Sequence, residues 1–379
     1  MNIAIVGCGF VADYYMTTLP NHPELRLVGA HDRDPAAARR FADFHKTRIF
    51  ETLDELLADP AVELVVNLTN PSSHFEVSKA CLDAGRHVYS EKPLAMEIGQ
   101  AEELVRLARE KGLQIASAPC SVLGEAAQTA RRTIESGSVG DVRLVYAEME
   151  DSMVFRENYR TWRSLSGAPW PAEDEFAVGC TLEHAGYYLT WLCEFFGPVE
   201  EMTAFSAKLF PDKGTQQSPD EIANDFSVAC LRFRTGVVAR LTCGLAAPSD
   251  RSMHIIGTSG VLSVTDGWNA RSSLYLRDPA GHWRPRAGIF GKVLRRLERG
   301  RPIKHWFGRR IGVPRSGAVV PETSSRMDFM RGPAMMAQAI RSGTRPPLAD
   351  AFALHVTELS IVAQNTKGYP MPYRPRSTF

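Results

Sequence analysis

An apolar run, Asn2-Ile3-Ala4-Ile5-Val6, leads straight into Gly7-x-Gly9-x-x-Ala12, and 25 residues after Gly7 a second apolar run ends in Asp32. These residue types at this spacing suit a dinucleotide. Gly7 permits a tight turn, Gly9 lets backbone N–H groups approach a pyrophosphate with Phe10 and Val11 completing the turn, and Ala12 lets helix and strand pack closely. The helix start that follows would offer oriented donors to the phosphates. Asp32 would accept from the adenosine ribose hydroxyls and repel a 2′-phosphate, which favours NAD over NADP. Arg33 leaves room for NADP, because a guanidinium would meet that phosphate. Asp32 before Arg33-Asp34-Pro35 also reads as a plain turn residue.

Two more strand-like runs end in polar residues. One closes on Thr69-Asn70-Pro71, with His74 opening the next helix, and the other on Glu91-Lys92-Pro93. Ligands of open α/β sheets sit at the carboxyl ends of strands, so Thr69, Asn70, Pro71, His74, Glu91 and Lys92 would line the nicotinamide half of a cleft. Thr69-Asn70-Pro71 equally suits a helix N-terminal turn.

Those ends converge only if the runs 2–7, 25–32, 62–70, 86–92 and 113–118 form one sheet. They are near-continuous and apolar, as in a parallel sheet covered on both faces. Helical patterns at 35–45, 51–59, 74–84 and 97–111 alternate with them, which predicts an α/β doubly wound Rossmann domain over residues 1–120. Past 120 the pattern changes. Helices near 122–136, 179–195 and 349–366 frame successive strands at 142–150 and between 199 and 277, joined by short turns. This predicts an α+β domain over 121–379 with an open, mostly antiparallel sheet.

Length and composition agree with two domains. The chain has 379 residues, 44% of them apolar, and 44 Lys and Arg against 43 Asp and Glu. That balance argues against a nucleic-acid binder. No apolar run is long enough for a transmembrane helix, and the N-terminus lacks a basic n-region and a cleavage site. The seven cysteines are scattered and odd in number, without a C-x-x-C pair, so they read as reduced thiols of a cytoplasmic protein with no metal site.

At Glu91-Lys92-Pro93 the chain resembles the Gfo/Idh/MocA oxidoreductases, the family of glucose-fructose oxidoreductase and inositol dehydrogenase. The glycine turn, VNLTNPSSH, GRHVYSEKPLA, IESGSVGDV, the Trp162-Arg163 pair and the helix before FFGPV carry the likeness over nearly the whole chain. It implies NAD(P)-linked redox chemistry on sugars, polyols or their nucleotide conjugates, and places Lys92 beside the nicotinamide and the reacting carbon. It also suggests dimers or tetramers formed through the open sheet. The family's second signature, roughly G-G-x-x-x-D-x-G-x-H-x-x-D, falls on 178–190, where Glu183, Tyr187 and Thr190 stand at the aspartate, histidine and final aspartate positions.

Residues 183, 187 and 190 have i, i+4, i+7 spacing and share a helix face. Oxidising a carbinol needs an acceptor for the hydroxyl proton, and a tyrosine serves if an ammonium stabilises its phenolate. The catalytic group is therefore Tyr187 as proton acceptor, Lys92 as electrostatic partner and hydrogen-bond donor, and Glu183 as their orienter. Tyr187 as a packed core tyrosine is the alternative. His184 lies about 100° away around the helix and competes for the role, or is a satisfied interior residue. On the substrate side, Trp162 would stack on a sugar face, Arg163 would grip a carboxylate or phosphate bidentately, and Glu148 and Glu150 share one strand face.

Residues 277–315 carry twelve Lys or Arg against two acids, leaving the rest of the chain at −9. Within them a basic amphipathic helical pattern spans 289–299. It suits peripheral contact with an anionic membrane surface, cover for a nucleotide-diphosphate substrate, or packing on a neighbouring subunit. Three functions stay open: an NAD(P)-dependent oxidoreductase of a sugar, polyol or nucleotide-sugar, with surface polysaccharide metabolism as one setting that would suit it; an enzyme using NAD as an internal redox cofactor for elimination, epimerisation or hydrolysis; and a non-catalytic NAD-binding sensor or partner subunit.

Overall fold

The computed structural model describes residues 1–277, 308–322 and 325–379. The first part alternates β1 (Asn2–Val6), α1 (Ala12–Thr18), β2 (Arg26–His31), α2 (Pro35–His45), α3 (Leu53–Ala58), β3 (Leu64–Asn67), α4 (His74–Asp83), β4 (His87–Ser90), α5 (Ile98–Glu110) and β5 (Ile115–Ser117). The strands form a parallel sheet of order β2-β1-β3-β4-β5. β1 and β3 are apolar and buried on both faces, because helices cover each side.

Register brings the site residues together. Val6 lies opposite His31 on one side and Asn67 on the other, and Asn67 lies opposite Ser90. The residues that follow each strand, Gly7, Asp32, Leu68 and Glu91, therefore stand along one edge of the sheet. The order reverses between β1 and β3, which is where such sheets open a crevice.

The second part contains α6 (Glu125–Glu135), β6 (Val142–Glu150), α7 (Ala172–Val178), α8 (Cys180–Phe196), β7 (Val199–Ala207), β8 (Phe226–Phe233), β9 (Val238–Gly244), β10 (Met253–Gly257), β11 (Val261–Val264), β12 (Leu274–Arg277), β13 (Arg309–Ile311), α9 (Arg331–Ser342) and α10 (Ala351–Gln364). Eight strands form a sheet of order β13-β12-β11-β10-β6-β9-β8-β7, antiparallel throughout except for the parallel pair β6 and β9. Sequence patterns do not mark α7 or α9. The first spans only two turns, and the second hides its start behind Gly332-Pro333, a proline tolerated in the first turn.

α8 is the spine. It packs against β6, β8, β9 and α10, with 14 of its 17 residues buried, and so is apolar around almost its whole circumference. Residues 348–350 return to the first sheet, with Ala349 bridging Ala116, and α10 packs on both α5 and α8. One hydrophobic cluster runs from Ile3 and Leu64 through Trp191 to Phe233, so the two sheets share a core. All seven cysteines are free, six of them buried.

The basic amphipathic pattern at 289–299 lies within residues 278–307, outside the described residues. On either side of 278–307 the chain is in the second sheet, where Leu274, Tyr275 and Leu276 pair with Ile311, Arg310 and Arg309. Among the described residues no helix is long and apolar enough to cross a membrane.

Candidate active site

A cleft of about 840 Å³ opens between the strand ends of the first sheet, α8 and the loop 151–171. Its dinucleotide end is built from the first βα turn. Gly7 sits at φ +98, with its N–H donating to the His31 carbonyl at 2.9 Å, and a Cβ there would meet the Leu68 carbonyl at 2.5 Å. Only glycine fits that conformation and that approach. A Cβ on Gly9 would meet nothing within 4 Å, so its backbone faces open cleft. Ala12 is fully buried against the core, while Phe10 and Val11 line the cleft.

Asp32 accepts from the Cys8 N–H at 2.7 Å and the Asp34 N–H at 2.8 Å. It serves as turn residue and cleft wall at once. Arg33 and Arg40 line the same end, and Arg40 donates to the Cys8 carbonyl at 2.9 Å while its Nε has no hydrogen-bond partner among the described residues. A turn closed to any side chain but glycine, an open Gly9 and an acid with cations beside it fit a dinucleotide.

Two contacts tie the facing walls together. Asp13 at the start of α1 accepts from the Ser166 N–H at 2.8 Å, and Asn70 donates to Asp174 at 2.6 Å. His74 is fully buried, with its ring nitrogens 2.6 Å from the Pro93 carbonyl and 2.9 Å from that of Thr69. It binds the two strand-end loops to each other, and both nitrogens are spent on that. Thr69, Pro71 and Glu91 line the cleft as expected from the sequence, and Glu91 also accepts from Tyr15 at 2.7 Å.

The three residues that the sequence suggests for catalysis meet. The Lys92 ammonium is paired with the Glu183 carboxylate, and Tyr187 lines the cleft beside them. Burial opposes the charge on Lys92, yet Glu183, with Glu175 and Tyr187, holds its pKa well above the ordinary value. Burial pushes the Tyr187 phenol up, and Lys92 opposes that. Thr190 does not join the trio: its hydroxyl bonds back to the Tyr187 carbonyl at 3.1 Å. His184 does reach the cleft, edge-on to Trp268, and burial followed by the charges of Lys92 and Arg251 lowers its pKa to about 3, leaving a neutral ring. The 100° step along α8 does not carry it out of the cleft, because the cleft wraps more than one face of that helix.

Trp162 lines the cleft and stacks edge-on with Trp170 at 5.2 Å. Arg163 does not face the cleft; its guanidinium donates to the carbonyls of Arg160 and Trp162, both at 2.8 Å, so the anion grip expected from the sequence is spent on its own loop. Glu148 is paired with Arg240 on the open sheet face, and neither Glu148 nor Glu150 lines the cleft.

Asp151, Glu175, Arg251 and Trp268 are among the cleft residues without a local sequence signal. Burial, with the Glu183 carboxylate adding to it and Lys92 opposing, pushes Glu175 up to about 8. A carboxyl raised in the folded state stabilises the protein below its ordinary value of 4.5, and that contribution is lost as pH rises to about 8. Glu175→Gln is therefore expected to flatten the decline in Tm across this window. A Tm difference between variant and wild type that stays constant over that range would show that Glu175 ionises normally.

A family model described as oxidoreductase family, NAD-binding Rossmann fold, matches residues 1–118, and one described as GFO/IDH/MocA C-terminal domain matches residues 127–263. The chain is 32% identical over 166 residues to an uncharacterized oxidoreductase of Schizosaccharomyces pombe, covering 43% of this chain and 44% of that one, so the match spans less than half of that relative. It is 25% identical over 267 residues to the trans-1,2-dihydrobenzene-1,2-diol dehydrogenase of Mus musculus, covering 70% and 74%. The WlbA dehydrogenase of Bordetella pertussis, solved in complex with NADH and UDP-GlcNAcA, shares the fold at TM-score 0.70 and 18% identity, covering 99% of this chain and 98% of that one.

Proposed function

The chain belongs to the GFO/IDH/MocA oxidoreductase family, and on that premise we propose that it interconverts a carbinol and a carbonyl on a sugar, polyol or nucleotide-sugar with a nicotinamide dinucleotide. The observation that carries this reading is the Lys92–Glu183 pair beside Tyr187, in one cleft with the Gly7-Gly9 turn and Asp32. Two relatives lend support: one is named for a dihydrodiol and one was solved with a nucleotide sugar, and both compounds carry neighbouring carbinols.

Gly7, Gly9, Phe10, Val11, Asp32, Thr69 and Asn70 would hold the dinucleotide, which when bound accepts or supplies the hydride. Asp32 favours NAD; a lower KM for NADP would refute its role. Lys92 donates a hydrogen bond to the substrate oxygen and stabilises negative charge there. Glu183 keeps that ammonium charged and aimed. Tyr187 carries the proton. Burial keeps its phenol protonated at rest, which suits giving a proton to the oxygen as a carbonyl is reduced. In the oxidising direction the charge on Lys92 must offset that burial.

Tyr187→Phe is expected to lower kcat by about 10²-fold with cofactor affinity intact. His184→Ala should cost less, because its ring is neutral and set against Trp268. Steady-state cofactor turnover by the two variants checks the ordering, and the reverse order would transfer the proton-carrying role to His184. Tyr146, Phe205 and Val238 are exposed on the second sheet, which supports association of copies through its open face.

A further inference from the structure

The wall of the cleft that faces the strand ends is a flap with unequal attachments. Its stem belongs to the second half of the molecule: Val154, Tyr159 and Phe176 are buried with Ile222 and Leu245 in a cluster apart from the core that joins the two sheets, and Trp162 and Trp170 pack on it. A buried ion pair of Lys213 and Asp225 backs that cluster, with Lys213 Nζ 4.1 Å from the centre of the Phe155 ring and the Lys213 carbonyl accepting from the Tyr159 hydroxyl at 3.1 Å. Residues 163–169 then turn back on themselves as a hairpin, with the Ser164 N–H donating to the Ala168 carbonyl at 2.9 Å and Gly167 at φ +90.

Across the cleft the flap is fastened by polar contacts instead. Asp13, on α1 and fully buried, accepts from the Ser166 N–H at 2.8 Å through one oxygen, while His45 Nε2 stands 2.5 Å from the other. Further along, Asp174 on α7 accepts from Asn70 at 2.6 Å. Leu165, the large apolar side chain at the hairpin tip, is 63% exposed and adds nothing to this hold. An apolar cluster comes apart only as a unit, whereas single hydrogen bonds break and reform at little net cost. The hairpin is therefore built to lift from the strand ends while its stem stays in place.

The chain between the two fastenings passes over the proposed cofactor path, because Ala168, Pro169, Trp170 and Pro171 line the same cleft as Gly9 and Asp32. Resting on the redox reading of this cleft, we propose that residues 163–174 are a gate over the dinucleotide, latched by Asp13–Ser166 and Asn70–Asp174, and that the latch opens for the cofactor to enter or leave. The latch then sets the rate of cofactor exchange and not its affinity. A fastening made alike over a full and an empty cleft slows entry and departure by the same factor.

Stopped-flow fluorescence of NADH reads both rates, association on mixing and dissociation on displacement by excess NAD. Asp13→Ala and Asp174→Ala are each expected to raise both rates about tenfold and to leave Kd within threefold of wild type. Asp13→Asn and Asp174→Asn discard the same charge but keep an accepting oxygen, so their rates should stay within threefold of wild type. Asp13 is buried and Asp174 only half-buried, so the second position carries the test if Asp13→Ala fails to fold. A rise in dissociation alone would mean that these carboxylates hold the dinucleotide directly. Asn variants as fast as the Ala ones would assign the effect to charge, and wild-type rates in the folded Ala variants would show that no latch exists. Each of these three results overturns the gate. Failure of the wild type to bind NADH would instead sink the redox reading on which the gate rests.

Discussion

Lys92→Met is expected to reduce kcat/KM by about 10³-fold while cofactor affinity stays within a few-fold of wild type. Lys92 is the cation closest to the proposed chemistry, its side chain 16% exposed and its charge secured by Glu183. Methionine preserves the length and apolar stem but removes the hydrogen-bond donor and the positive charge. The change also leaves the Glu183 carboxylate, 5% exposed, without its counter-charge, which costs stability by about 3–5 kcal/mol. A second substitution separates the two effects. Lys92→Met with Glu183→Gln should recover most of the lost Tm and none of the lost turnover. Recovery of turnover in the double variant, or a loss below tenfold in the single one, would mean that the pair is structural.

Gly7→Ala should fail for a different reason. The positive φ costs an L side chain about 1–3 kcal/mol, and the new Cβ would press on the Leu68 backbone at 2.5 Å. A loss of roughly 3 kcal/mol or more, seen as a lowered Tm, should accompany at least tenfold weaker NADH binding. Gly9→Ala provides the contrast. Its Cβ meets no protein atom within 4 Å, so it should fold with an unchanged Tm and lose affinity only because the methyl stands where the dinucleotide approaches. Equal Tm losses in both variants would contradict this division between the turn glycine and the cleft glycine.

Local patterns reach a long way in this chain. The Gly7 turn, the strand ending at Asp32 and the strand ending before Lys92 are each written within a few consecutive residues, and the parallel register then aligns their ends without further instruction. Helix spacing likewise put Glu183 and Tyr187 on one face, where the structure has them. Thr190 departs from that pattern because its hydroxyl finds a carbonyl within its own helix. Arg163 departs because two carbonyls of its own loop lie closer than the cleft.

Periodicity and local motifs determined the two sheets, the dinucleotide turn and the placing of Lys92 at a strand end, because each depends on neighbours in the chain. Tertiary structure alone decided which residues complete the far wall. Asp151 follows one strand, Glu175 sits on a seven-residue helix, and Arg251 and Trp268 occupy turns on either side of β10 and β11. No spacing rule links positions so far apart. Nor does periodicity say which faces of α8 meet the cleft, since a helix buried on nearly all sides has no polar face to mark it. That His184 stands in the cleft and Thr190 does not was settled by packing.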